Sequence, residues 1–190
     1  QEYVFSLEEF LAVGTLTARA ADGLLNPAET RRIASSLVAA VGHIASLGLV
    51  HRDLKPDNIM FRTPGGEPVI VDFGLVRDLS QSSLTKTWLP HGPGTPFFAA
   101  PEQLNNEKAL IDWRTDQFAL GVLLTVSRLG RHPYQSTGLN AGEVIDRVAR
   151  RDTPDSGFEA WANANGLGAL VAMVRPWPIG RYRTPAQLEQ

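Results

Sequence analysis

Apolar residues recur every three or four positions over much of the chain, which is the spacing of one face of an α-helix. The clearest start signal is at Asn26, Pro27 and Glu29, which match a capping residue, a first-turn proline and a capping-box glutamate. The apolar positions that follow are Ile33, Leu37, Val41 and Ile44. We therefore predict a helix over 27–47 with one buried face.

Weaker signals predict the other elements. Ser6 opens a second capping box and predicts a short helix over 7–13. Two short apolar runs, at 59–61 and 69–71, flank a Thr-Pro-Gly-Gly turn and predict a β-hairpin. Further helical patterns lie at 116–129, 141–151, 158–175 and from Pro185 onward. The chain thus reads as a mainly α domain with one small hairpin.

Composition narrows the possible classes of protein. The 190 residues suffice for one domain with a core, and 43 % are hydrophobic. A net charge of −2 provides no basic field for nucleic acid or a membrane surface, so neither partner is expected. The absence of cysteine fits a cytoplasmic protein without disulfides. Because the chain begins with Gln1 and not Met, we expect it to be part of a longer protein.

Two polar segments carry the chemistry. Residues 51–58 read His-Arg-Asp-Leu-Lys-Pro-Asp-Asn and place a carboxylate, an ammonium group and an amide within a few positions, directly before the hairpin. An Asp-Phe-Gly triplet at 72–74 follows the second predicted strand. After it, residues 75–100 show no periodicity, and a loop of that length inside a compact domain is usually functional.

These segments resemble the catalytic loop and the magnesium motif of eukaryotic-type (Hanks-type) Ser/Thr protein kinases. Residues 94–102, Gly-Thr-Pro-Phe-Phe-Ala-Ala-Pro-Glu, resemble the end of the activation segment in the same family. The resemblance covers nearly the whole chain and implies the mainly α C-terminal lobe of an α+β kinase. The N-terminal β lobe is not matched, since no G-x-G-x-x-G and no Val-Ala-x-Lys strand occurs.

The resemblance implies boundaries along the chain. It places a hinge between lobes at about residues 1–5 and the catalytic loop at 51–58. The activation segment then spans 72–102, and the helical remainder of the lobe spans 103–190.

It also implies roles for single residues. Asp53 would accept the proton of the substrate hydroxyl, and Lys55 would neutralise charge on the transferred phosphoryl group. Asn58 and Asp72 would bind Mg²⁺, which prefers hard oxygen ligands. The hydroxyl of Thr95 would contact Asp53 and Lys55. By these matches the catalytic residues are Asp53, Lys55, Asn58 and Thr95.

The implied cofactors are ATP and Mg²⁺. The backbone of Glu2 and Val4 would meet the adenine edge, and Met60 would support the face of the ring. The implied partner is a protein substrate. An N-terminal lobe or a regulatory domain supplied by another chain is an open alternative.

Other matches are structural or regulatory. Glu102 is expected to form a buried ion pair with Arg181, and Asp116 is expected to brace the backbone of the catalytic loop. His132, in a Gly-Arg-His-Pro-Tyr sequence that ends a predicted helix, is not expected to be functional. An arginine before Asp53 suggests activation by phosphorylation, for which Thr87 is the best site and Thr85 the next.

Three functions remain open at this point. The first is the catalytic lobe of a Ser/Thr protein kinase, inactive as this chain alone. The second is a non-catalytic, kinase-like module that binds other proteins, but such a module has no need of Asp53, Lys55, Asn58 and Asp72 together. The third is a small-molecule kinase, against which the segment at 94–102 counts because in the family it shapes a peptide site.

Overall fold

The computed structural model describes residues 9–74, 76–79 and 95–188. Within these ranges the chain forms eight α-helices and two short antiparallel strand pairs, so the predicted mainly α class with a small hairpin is confirmed. The helices α1 to α8 are Leu16–Ala21, Pro27–Ser46, Pro101–Leu104, Trp113–Leu129, Ala141–Ala149, Ser156–Ala164, Gly168–Met173 and Pro185–Leu188. The strands β1 to β4 are Leu49–Val50, Ile59–Phe61, Pro68–Ile70 and Arg77–Asp78. None of these helices is long and apolar enough to cross a membrane.

Helix α2 begins where its capping box predicts. The side chain of Asn26 accepts the N–H groups of Ala28 and Glu29, each at 3.0 Å, and Glu29 accepts the N–H of Asn26 in return, also at 3.0 Å. These contacts satisfy donors that a helix leaves unpaired at its N-terminus. The apolar face of α2 is buried and packs against α4.

Helix α4 lies at the centre of the lobe and packs against both α2 and α7. Its Gly121 permits the close approach to α7. A Cβ atom there would lie 2.8 Å from Cγ1 of Val174 and 2.9 Å from Cβ of Met173. Both distances are shorter than a normal carbon–carbon contact, so glycine is required where these two helices cross.

Strand β1 directly precedes residues 51–58, and strand β2 directly follows them. In the predicted hairpin, Ile59 pairs with Ile70 and Met60 with Val69, within one residue of the expected bounds. The second pair, β1 with β4, was not predicted, because two residues are too few to show an alternating pattern. Residues 51–58 therefore connect the β1–β4 pair to the β2–β3 hairpin.

The predicted helix over 7–13 is wrong for the residues that the structure describes. Residues 9–14 form no helix, and α1 begins only after Thr15, whose side chain accepts the N–H of Ala18 at 3.2 Å. The reason is pairing with the hairpin edge. Phe61 donates its N–H to the carbonyl of Gly14 at 3.2 Å, and Thr15 forms a β-bridge with Met60.

The single helix predicted over 158–175 is also wrong. The chain forms α6 and α7 instead, with a break at Gly166, whose φ of +67° lies in the left-handed region. The N–H of Leu167 turns back to the carbonyl of Ala162 at 2.8 Å and closes the end of α6.

The predicted ion pair between Glu102 and Arg181 is confirmed. The guanidinium nitrogens lie 2.7 and 3.1 Å from the carboxylate oxygens, and both side chains are 0 % exposed. Thr115 donates its hydroxyl to Glu102 at 3.0 Å. Further donors of Arg181 bind the carbonyls of Arg114, Arg175 and Pro176. The pair is thus fully hydrogen-bonded and joins α3 to the C-terminal part of the lobe.

We predict that Arg181→Ala lowers the free energy of unfolding by about 3–5 kcal/mol, because it leaves the charge of Glu102 buried without a partner. Chemical denaturation measures this loss. The control is Arg62→Ala, which breaks an ion pair with Glu9 in which both side chains are 54 % exposed, and it should change stability little. Equal losses in the two variants would contradict the prediction.

Candidate active site

Asp53 is the centre of a closed set of hydrogen bonds. Its carboxylate accepts Nζ of Lys55 at 2.8 Å and Nδ2 of Asn58 at 3.2 Å. It also accepts both the N–H and the hydroxyl of Thr95, at 2.9 and 3.0 Å. Nζ of Lys55 reaches the same hydroxyl at 2.9 Å. The structure thus brings together the four residues that the sequence marked as catalytic.

The chain positions these groups by local means. Leu54 is buried in the core beside Asp53, and Pro56 opens the 3₁₀ turn Pro56–Asn58 that turns Asn58 back toward Asp53. Nδ2 of Asn58 also donates to the backbone carbonyl of Asp53 at 2.9 Å. Thr95 lies 42 positions after Asp53 in the chain, so these contacts depend on the tertiary fold.

Asp116 holds the backbone of the catalytic loop, as the sequence predicted. Its carboxylate, 1 % exposed, accepts the N–H of His51 at 2.7 Å and that of Arg52 at 2.9 Å. Burial raises the pKa of Asp116 to about 6, while the two amide donors act in the opposite direction. Arg52 has a φ of +70°, a conformation that residues other than glycine rarely adopt. The two hydrogen bonds that Asp116 accepts from backbone N–H groups hold the chain in this conformation.

His51 links the catalytic loop to the strand before Asp72. Its Nε2 lies 3.2 Å from the carbonyl of Val71, and its Nδ1 accepts the N–H of Asp53 at 3.3 Å. This pattern requires a neutral ring with the proton on Nε2. Burial lowers the pKa of His51, which favours that neutral form. Phe73 packs edge-on against the ring, with centroids 4.9 Å apart.

Asn58 and Asp72 lie at the open end of the β2–β3 hairpin, Asn58 just before β2 and Asp72 two residues after β3. The N–H of Val71 donates to the carbonyl of Asn58 at 2.9 Å, so Asp72 follows directly after that bond. Asn58 uses its Nδ2 twice, and among the described residues no hydrogen bond engages its Oδ1. Asp72 is exposed, with a φ of +63°. An amide oxygen and an exposed carboxylate are hard donors that fit Mg²⁺.

The expected nucleotide contacts are only partly within the described residues. Met60 is half-buried on β2, opposite Val69. Glu2 and Val4 lie outside the described residues, as do the candidate phosphorylation sites Thr85 and Thr87. Their assignments stay predictions.

Two buried residues that the sequence did not mark as functional contact the segments that carry these groups. His132 is 1 % exposed and packs edge-on against Phe97, with centroids 4.9 Å apart. Its Nδ1 accepts the N–H of Tyr134 at 3.1 Å, and burial lowers its pKa to about 3. Gln103, which follows the Ala-Pro-Glu triplet, donates to the carbonyl of Arg52 at 2.8 Å. Neither contact has a signal in the periodicity of the chain.

Comparison with known proteins supports the same interpretation. The family described as "Protein kinase domain" matches residues 1–165. The chain therefore belongs to the protein kinase family.

The relatives it matches include kinases from plants and bacteria. It is 38 % identical over 185 residues to CBL-interacting protein kinase 16 of Oryza sativa, an alignment that covers 96 % of this chain and 38 % of the relative. It is 30 % identical over 146 residues to serine/threonine-protein kinase PknA of Nostoc, covering 74 % and 25 %. It is 34 % identical over 130 residues to serine/threonine-protein kinase AfsK of Streptomyces coelicolor, covering 68 % and 15 %. The chain thus spans well under half the length of these relatives.

We predict that His132 makes stability depend on pH. Its pKa is about 3 in the folded chain and about 6.5 when unfolded, so between these values the unfolded chain binds one more proton and folding weakens as the pH falls. Between about pH 7 and about pH 5, proton uptake by His132 in the unfolded chain lowers the free energy of unfolding by about 2 kcal/mol. Chemical denaturation of the wild type and of His132→Asn at both pH values measures it. Parallel losses in the two proteins would show that His132 does not carry the effect.

Proposed function

We propose that this chain carries the phosphoryl-transfer centre of a Ser/Thr protein kinase, which moves the γ-phosphate of ATP to a protein Ser or Thr hydroxyl. The observation that supports this most is the network in which Asp53 is bound by Lys55, Asn58 and Thr95. Phosphoryl transfer requires mainly positioning and neutralisation of charge, and this network provides both.

Asp53 is the proposed acceptor of the substrate proton. A carboxylate has about four lone-pair sites, and four donors already occupy Asp53. An incoming hydroxyl must therefore replace one of them. The hydroxyl of Thr95 is the donor that can leave most easily, because it rotates about a single bond and keeps its contact with Lys55. Substrate binding is then coupled to rotation of the Thr95 hydroxyl.

Lys55 is the group proposed to neutralise charge during the transfer. Its ammonium group lies 2.8 Å from Asp53, close enough to neutralise charge that gathers on a phosphoryl group beside that carboxylate. Asn58 and Asp72 would hold Mg²⁺, which when bound neutralises charge on the phosphate oxygens. The peptide substrate would bind along the half-buried residues from Thr95 to Phe98.

The rest of the nucleotide site needs groups that these 190 residues do not contain. The sequence has no Gly-rich phosphate loop and no strand lysine of the Val-Ala-x-Lys type. In this proposal an N-terminal lobe, from the same protein or another chain, supplies them. Glu2, Val4 and Met60 would contact the adenine from the side of this chain.

The 190-residue chain alone should therefore bind ATP weakly and transfer no phosphate. Half of the phosphate contacts are missing, and both binding energy and positioning depend on them. Calorimetric titration with ATP and Mg²⁺ measures the affinity. Micromolar binding by the monomeric chain would refute the need for a second lobe.

In the full-length protein that contains this chain, Asp53→Asn should lower turnover by about 10²- to 10⁴-fold, the usual loss when a general base is removed. The matched control is Asp146→Asn, the same substitution at an exposed position on α5, outside residues 51–58, which should leave turnover unchanged. Phosphate transfer to a Ser/Thr peptide is the measurement. Near wild-type turnover in the Asp53 variant would exclude this mechanism and favour a binding module.

A further inference from the structure

Gln103 connects the end of the activation segment to the catalytic loop. It lies on α3 and is 3 % exposed. Its Nε2 donates to the backbone carbonyl of Arg52 at 2.8 Å. Its Oε1 accepts the N–H of Ala100 at 3.3 Å. The side chain of Gln103 thus binds the backbone of its own segment at Ala100 and that of a second segment at Arg52, 51 positions earlier in the chain.

The carbonyl that Gln103 binds belongs to the peptide unit before Asp53. The C=O of Arg52 and the N–H of Asp53 lie in one rigid plane, so a bond to the carbonyl also sets the direction of that N–H. The N–H in turn reaches Nδ1 of His51 at 3.3 Å. On the other side of Arg52, Asp116 holds the preceding N–H at 2.9 Å. The backbone around the unusual φ of Arg52 is therefore fixed at both ends.

Helix α3 is a rigid support for this contact. Glu102, the neighbour of Gln103, is bound to Arg181 at 2.7 Å in the buried ion pair. The amide of Gln103 consequently reaches the catalytic loop from a fixed position.

We propose that Gln103 is a positioning residue that orients Asp53 by holding the peptide unit between Arg52 and Asp53. This inference rests on the proposed function, in which Asp53 accepts the substrate proton. Gln103 touches no reacting atom. It makes the orientation of Asp53 depend on the docking of residues 100–103.

The chain contains a matched control for the test. Gln117 is 0 % exposed and also holds one backbone segment with both ends of its amide, since Nε2 donates to the carbonyl of Tyr182 at 3.2 Å and Oε1 accepts its N–H at 3.0 Å. Gln103→Met and Gln117→Met remove the same amide from equally buried positions and keep an unbranched side chain of similar length. Only the first change releases the carbonyl of Arg52.

The first measurement is hydrogen exchange of the Asp53 amide, followed by NMR in the 190-residue chain, which requires no activity. Gln103→Met should speed this exchange by about tenfold or more relative to exchange in the core of α4, because the peptide unit loses the hydrogen bond at its carbonyl and opens more often. Gln117→Met should not. Equal effects of the two variants, or no effect of either, would overturn the proposal.

The second measurement is turnover in the full-length protein. Gln103→Met should lower kcat by about 10- to 100-fold, the size of loss that misplacement of a reacting group causes, with little change in KM for ATP. Unchanged kcat beside faster Asp53 exchange would also overturn the proposal, since Asp53 would then not need this support.

The two proposals can fail separately. If the wild-type full-length protein transfers no phosphate, the proposed function fails, while the exchange measurement still shows whether Gln103 holds the peptide unit. If Gln103→Met does not fold, Gln103→Asn replaces it, because it keeps the amide but shortens the side chain by one methylene and cannot reach Arg52.

Discussion

A buried carboxylate that accepts two backbone N–H groups organises this lobe. Asp116 sits on the central helix α4, and the amides of His51 and Arg52 converge on it. Removing a carboxylate from water is costly unless hydrogen bonds compensate, and here the compensating donors come from the catalytic loop itself. The loop can satisfy them only if Arg52 takes its left-handed conformation. The stability of the core and the shape of the active site therefore depend on the same contact.

Other contacts connect the helical part of the lobe to the groups around Asp53. The ion pair of Glu102 with Arg181 holds α3 on the helical part of the lobe, and α3 follows directly after the segment that begins at Thr95. Thr95 and Lys55 then complete the contacts of Asp53. Each step joins backbone segments that are far apart in sequence, so the site forms only in the folded lobe.

The sequence predicted what is encoded locally. The capping box of α2 and the hairpin are written in consecutive residues, and their bounds agree with the structure to within one residue. Asp53, the three residues that contact it and the partner of Glu102 could be named because contiguous motifs match a known family. The break between α6 and α7 at Gly166 was missed because the apolar spacing continues across it. The start of α1 was missed because a capping box at Ser6 says nothing about pairing with the hairpin edge.

The contacts of Gln103 and His132 could not be predicted for a different reason. Each depends on a single side chain meeting backbone or a ring from a distant segment. Hydrophobic periodicity reports which face of an element is buried, but not which atom a buried polar group meets. Such contacts become visible only when the tertiary structure is known.

The β1–β4 pairing is short compared with the contacts that hold residues 51–58. In the described part of the chain, Leu49 pairs with Asp78 and Val50 with Arg77, and Leu79 donates one further N–H to the carbonyl of Gly48, whereas residues 51–58 are bound to a buried helix. Local opening costs less free energy when fewer contacts break, so the β1–β4 pairing should open more readily than the contacts of residues 51–58. The two proposed magnesium ligands thus differ in support: Asn58 is held by two hydrogen bonds to Asp53, whereas Asp72 is exposed and lies between the β2–β3 hairpin and this short pair.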